Sequence, residues 1–256
     1  MKYNCIILLA ITLALLATAC KKDNKEEPII ITAADDIQAA VDEYRALLGV
    51  NNGGIAGSQA QGRREINWDG VPDELAAPYN LPSDFFNTDL NNRARGAVLT
   101  SPGTGVQVSA DSDNPTGAAT SFGNINPTYT QLFPPFSGER IFSPVGSNIV
   151  NLHFYVPGTT TKAVVSGFGA IYISVNRKEN TSLEYFDIND KSLGRYGPQL
   201  VSDGHVFLGV FFKEPVVHHV RIEYGNAALG PNANESSTVD VAVMDDFIFG
   251  EPQAAQ

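Results

Sequence analysis

The chain has 256 residues, 43% of them hydrophobic, with 17 Lys and Arg against 28 Asp and Glu, for a formal net charge of −11. That apolar fraction suits a folded domain rather than a disordered chain. The acid excess disfavours nucleic acid and anionic lipid as partners, because both would be repelled. It is compatible with divalent cations and neutral glycans.

The chain opens with a targeting pattern. Lys2 is a short positive region, residues 5–16 form an apolar run, and the small residues Ala17, Thr18 and Ala19 lead to Cys20. A bilayer-spanning helix needs roughly 20 apolar residues, so this run reads as a secretory signal. The arrangement resembles a bacterial lipobox, with Ala17 where Leu is more usual. The resemblance implies a signal peptide over 1–19, cleavage before Cys20, and a lipid on Cys20 as the membrane partner. Several acyl chains hold a protein where one binds marginally. Cys5 leaves with the leader, so the mature chain has no free thiol. Residues 20–31 read as a lipidated tether, because 21–28 are charged and lack apolar periodicity. This charged run resembles the surface-export signal of Bacteroidota lipoproteins, which implies an outward-facing outer-membrane protein. A periplasm-facing lipoprotein with a plain spacer is the alternative.

Residues 32–252 read as one domain, with a short tail over 253–256. Its first element is an amphipathic helix over 32–49. Thr32 is the expected N-cap, Asp35 and Asp36 sit in the first turn, and Ile37, Val41, Tyr44 and Leu48 recur at helical spacing before Gly49. A Gly/Asn/Ser-rich loop covers 51–62. Alternation at 65–69 predicts a half-buried strand with Trp68 inward. Further strands are expected at 97–100, 106–110, 149–156, 162–175, 182–187, 206–212, 216–223 and 239–249. Turn residues separate them, including Asp111-Ser112-Asp113-Asn114 and Ile188-Asn189-Asp190-Lys191. Short strands with frequent turns and no second long helix predict a mainly β chain: an antiparallel β-sandwich or jelly roll with one N-terminal helix.

Four stretches carry a family resemblance: 62–72 with Trp68-Asp69-Gly70-Val71-Pro72, 122–129 with Phe122-Gly123-Asn124, 166–170 with Gly167-Phe168-Gly169, and 243–252 with Met244-Asp245-Asp246-Phe247. Together they resemble a β-sandwich family of exported bacterial proteins, some with sorting tails and some lipoproteins. That family implies no particular activity. Residues 183–187 and the Asp245-Asp246 strand also look like those of jelly-roll carbohydrate-binding modules, a likeness at the level of fold. Relatives often carry an acid after the Gly-Phe-Gly strand, where this chain reads Ser174-Val175-Asn176.

No Gly-x-Ser-x-Gly turn, His-Glu-x-x-His helix or cysteine-rich zinc spacing is present. His218 and His219, adjacent on a strand, are expected on opposite faces. Asp245 and Asp246 interrupt a very apolar strand, and alternation puts one of them toward the core, where a carboxylate needs compensation. A structural Ca²⁺ held by Asp245, Asp246, Glu65, Asn67 and Asp69 would supply it. An arginine or backbone N–H groups would serve equally. For a sugar, Tyr79, Asn124, Asn126, Tyr129, Gln131 and Phe133 combine rings and amides in polar loops, although such rings more often plug the ends of a sandwich. The sequence therefore favours a non-catalytic binding module for carbohydrate. An envelope assembly protein that binds another envelope protein is the alternative, and a glycan hydrolase a distant one.

Overall fold

The computed structural model describes residues 27–177 and 180–255. The leader, Cys20 and residues 21–26 lie outside the described residues. In chain order the elements begin with strand β1 (Ile29–Ala34), helix α1 (Gln38–Leu48), β2 (Arg63–Ile66), β3 (Ala97–Thr100), β4 (Gly105–Val108) and the short helix α2 (Tyr129–Leu132). There follow β5 (Phe142–Val145), β6 (Ile149–Phe154), β7 (Ala163–Val164), β8 (Gly167–Val175), β9 (Ser182–Phe186) and β10 (Ser192–Tyr196). The last are β11 (Val201–Phe211), β12 (His219–Glu223), β13 (Val243–Gly250) and β14 (Gln253–Ala254).

Most strands form two antiparallel sheets packed together, and β7 and β14 pair as a separate two-stranded sheet. One has the order β1-β11-β8-β13-β5-β4. The far edge of β13 is divided between β5, at Met244, and β2, from Phe247 to Gly250. The second sheet has the order β10-β9-β12-β6-β3. From β5 onward the long strands alternate between sheets, with only β9 and β10 consecutive in one sheet.

Period-two alternation makes the shared core. Phe168, Ala170 and Tyr172 of β8 and Phe247 and Phe249 of β13 meet Val150, Leu152 and Phe154 of β6 and Val220 and Ile222 of β12. The outer side of the first sheet is also covered. Ile171, Phe207 and Ile248 lie under α1, and Ile173, Val241 and Val243 lie under Phe122, Tyr129, Phe133 and Ile141.

The helix differs from its sequence reading at its start. Residues 29–34, expected as tether and first helical turn, form β1 and pair with β11 from Ile29↔Phe211 to Ala34↔Val206. Their β-branched run fits a pleated edge better than a solvated tether. Thr32 is therefore a strand residue, and α1 begins at Gln38 with Ile37 as its N-cap and no side-chain cap. The apolar stripe Ile37, Val41, Tyr44 and Leu48 faces the sheet. Glycines allow this close docking. A Cβ on Gly167, Gly169 or Gly209 would stand 2.7, 2.8 or 2.7 Å from atoms of Tyr44. The Tyr44 hydroxyl donates to the Val210 carbonyl across that gap at 2.9 Å.

The loop over 51–62 is pinned from within. Arg64, fully buried, makes a bidentate pair with Glu251, Nε to Oε2 at 2.7 Å and Nη2 to Oε1 at 2.6 Å. Its other N–H groups reach the carbonyls of Gly53, Ile55, Gly57 and Ala94. Glu251 also accepts from Asn52 Nδ2 and the Gln59 N–H. One buried ion pair thus satisfies the carbonyls of a loop that has no regular structure of its own.

Candidate functional site

Asp245 and Asp246 sit in a β-bulge. Met244 pairs with Tyr172 and Phe247 with Ala170, so two residues of β13 oppose the single Ile171 of β8. The bulge corrects the expectation that the two carboxylates point to opposite faces, because an extra residue breaks period-two alternation. Both reach Ser137, whose hydroxyl donates to Asp246 Oδ1 at 2.6 Å and to Asp245 Oδ1 at 3.4 Å. Asp245 Oδ2 accepts the backbone N–H groups of Phe136 at 2.6 Å and Ser137 at 3.2 Å. Arg45, from α1, reaches Asp246 at 3.4 Å and grips Glu65 with two bonds at 3.1 and 2.9 Å. Arg63 adds a bond to Glu65 at 2.5 Å.

Burial, and next the neighbouring Asp246, push the Asp245 carboxyl up to about 8. Asp246 is also raised, first by burial, with the Ser137 hydroxyl and Arg45 pulling the other way. The pair therefore holds a proton at neutral pH, as two buried carboxylates in contact should.

Of the residues expected around a calcium ion, the fold brings together Asp245, Asp246 and Glu65. Asp69 is turned to another task, accepting the N–H groups of Glu139 at 2.9 Å and Arg140 at 3.2 Å. Asn67 is exposed and belongs to a separate pocket. Among the described residues, no group of three or more His, Cys, Asp or Glu side chains is placed to hold a metal ion. The buried carboxylates are contacted by Arg45, Ser137 and two backbone N–H groups. The chain leaves the strand at Ile66, so Trp68 is not a strand residue as expected. It adopts a left-handed φ of 68° and is fully buried, stacked on Phe142 at 4.2 Å and donating to the Asp245 carbonyl at 2.8 Å.

The residues expected to bind sugar are not gathered into one surface. Tyr129 and Phe133 are fully buried in the cluster on the first sheet, and the Tyr129 hydroxyl donates to the Ala233 carbonyl at 2.6 Å. Asn126 is buried, donating to Asn234 and accepting from Thr128. Those three positions are corrected from ligand contacts to packing, because their rings and amide complete a cover over the sheet. Asn124 and Gln131 are exposed on that cover. Tyr79 is 52% exposed but lies in the connection between β2 and β3, where its N–H bonds the Ala76 carbonyl.

The outer face of the second sheet carries a ring ladder. His219 opposes Phe186 on one side and His153 on the other. The rings stack, Phe186 on His219 at 4.4 Å and His219 on His153 at 4.9 Å. His218, on the adjoining residue, is buried with Nδ1 2.8 Å from the Ala163 carbonyl. Burial lowers His153 to about 4, helped by His219 and His218, and it lowers His219 as well. The His153 imidazole is neutral at pH 7 and lies face to face with that of His219.

Open concavity lies at the β10 end of the sandwich. Two adjoining hollows, of about 650 and 680 Å³, share Leu193, Glu214 and Val216. Both volumes fall in the range of small-molecule sites. Tyr196 and Phe212, partly exposed, line the first hollow and flank the buried Tyr185 ring at 5.7 Å each. A register shift between Ser192 and Gly194 and a φ of +136° at Gly194 shape β10 here. A Cβ at Gly194 would stand 2.6 Å from the Tyr196 oxygen, so glycine makes the room for that ring. Lys191, Lys213 and Glu214 add polar groups to the rim. Sequence reasoning missed this trough. Tyr196 and Phe212 are 16 residues apart and line one hollow only because the ends of β10 and β11 both lie beside Tyr185. No protein-family model matches the chain, and comparison with curated proteins finds no match.

Proposed function

We propose that this chain is a lipid-anchored, non-catalytic binding module of the bacterial cell envelope, facing outward from the outer membrane, with carbohydrate as its ligand. The alternation of strands between sheets, β5, β6, β8, then the β9–β10 pair, β11, β12 and β13, supports a jelly-roll wrapping, an architecture that hosts many lectin domains. The observation that carries the reading is the trough, where Tyr196 and Phe212 offer partly exposed rings beside lysine and glutamate side chains. A sugar needs this combination, an apolar ring face with hydrogen-bonding groups at its edge.

A glycan array probed with the domain from residue 28 onward tests it. Saccharide binding that Tyr196→Ala abolishes is the expected result. One observation favours the assembly reading. β1 is an edge strand whose Ile29 and Ile30 are 49% and 50% exposed, and such an edge can pair with another chain. Capture of an envelope protein, with no saccharide bound, would shift the function there.

A further inference from the structure

Most of the described arginines are paired with acids. Arg45, Arg63, Arg64, Arg140, Arg195 and Arg221 each stand within salt-bridge distance of a carboxylate. Arg93 and Arg95 pair with no carboxylate among the described residues, although acids outnumber bases in this chain. Both line one pocket of about 260 Å³, together with the exposed amides Asn67, Asn91 and Asn92. Its floor is apolar, since Arg93 lies over the Phe85 ring at 4.2 Å and Arg95 over Phe86 at 5.7 Å. Asn91 and Asn92 hold left-handed φ values of 52° and 59°.

Arg95 is the informative member. Its Nε donates to the Glu65 carbonyl at 2.7 Å and Nη1 to the Asn92 carbonyl at 3.1 Å. Two carbonyls fix the plane of the guanidinium and leave Nη2 without a partner among the described residues. Burial, and next the neighbouring Arg64, press against its charge, and no acid offsets them. A half-buried, pre-oriented cation with donors to spare is what a bound anion repays.

We propose that this pocket binds a carboxylate group, that of an acidic sugar residue such as a uronate. The carboxylate follows from the pocket: a planar guanidinium fork, a second arginine, and amides that can hydrogen-bond neighbouring hydroxyls. The choice of a sugar as its bearer rests on the function proposed above. The volume lies just below the usual small-molecule range, which suits one terminal residue rather than a chain. The site is separate from the trough and shares no lining residue with it.

Titration of the full chain with glucuronate, glucose and sulfate, followed through the arginine Nε–H signals by NMR, tests the proposal. Glucuronate is expected to shift the Arg93 and Arg95 signals saturably, and glucose to leave them unmoved. Arg93→Gln should weaken glucuronate by about tenfold, the weight of one charge-assisted hydrogen bond. Because Arg95 also holds the Glu65 carbonyl, Arg95→Gln removes a structural bond as well as a ligand contact, so Arg93→Gln and Asn67→Ala carry the test. No shift with glucuronate, an equal shift with glucose, or tighter binding of sulfate overturns it. A neutral oligosaccharide lost on Tyr196→Ala reports on the trough alone. Failure there with glucuronate still bound removes the trough as a glycan site and leaves the carboxylate site.

Discussion

At the scale of residues, buried charge decides most of what is distinctive. Asp245 keeps a proton in the folded protein up to about pH 8, whereas its ordinary value is 3.8. Between those values the folded state binds more protons than the unfolded chain, so this group's contribution to stability falls as pH rises through the window. Asp245→Asn keeps an oxygen to accept the Phe136 and Ser137 N–H groups and removes the titration. Urea unfolding from pH 5 to 9 should therefore show a flatter pH dependence for the variant and greater stability than the parent at pH 9. Because Arg45 and backbone donors already contact the pair, chelator or added calcium should leave the melting temperature unchanged; a calcium-dependent rise would restore the ion expected from the sequence. The Arg64–Glu251 pair follows the opposite logic, since it is satisfied on every side. Arg64→Met strands the Glu251 carboxylate and the carbonyls of residues 53–57, and should cost about 3–5 kcal/mol in denaturant unfolding. Sequence inspection could identify Asp245 and Asp246 as anomalous in an apolar strand. It could not identify Arg64 as the partner of Glu251, because 187 residues separate them.

At the scale of elements, the signal that survived was periodicity. The stripe Ile37, Val41, Tyr44 and Leu48 marks the buried face of α1, and 97–100 is a strand with the bounds that its apolar run implies. Boundaries failed where a local signal competed with pairing. Thr32 and Asp35 resemble helix-start residues, but pairing with β11 claims the chain through Ala34. Strand β5 contains Pro144 and β10 contains Gly194, residues that argue against strands in isolation; β5 pairs with β13 only at Phe142, which leaves Pro144 unpaired on that side, and β10 is an edge, positions that tolerate them. The docking of α1 depends on glycines rather than on the helix. Gly169→Ala, with 2.8 Å to the Tyr44 ring, should destabilise by about 1–3 kcal/mol through overpacking, and Tyr44→Ala in the same chain should recover part of the lost packing relief. The histidine ladder gives a second pH effect, of opposite sign to that of Asp245. His153 falls to about 4 from an ordinary 6.5, so the unfolded chain takes up a proton that the folded one refuses. Its contribution is present above pH 6.5 and is lost as pH falls toward 4. His153→Gln should flatten the acid limb of the stability curve while leaving the alkaline limb, which belongs to Asp245.

At the scale of the whole molecule, coverage is asymmetric. The first sheet is buried on both faces, by the second sheet and by α1 with the 122–141 segment, while the second sheet keeps a polar outer face of stacked histidines and charges. Concavity is left at the β10 end, at the C-terminal end of α1 and beside the end of β2, and the two binding proposals fall at the first and the last. Tyr196→Ala and Arg93→Gln should therefore act independently, each removing its own ligand and sparing the other, as double-variant titrations would show. The sequence by itself determined the β-rich class, the apolar stripes, the inward Trp68 and the anomaly at Asp245-Asp246, because each is written in local periodicity or in the cost of burying a charge. Only the tertiary structure decided that a bulge turns both aspartates to one side, that Arg45 and Arg64 find their carboxylates, that Tyr129 and Phe133 are packing rather than contacts, and that Tyr196 and Phe212 share a trough. Those facts depend on strand register and on partners far apart in the chain, and a one-residue change of register moves every side chain to the other face.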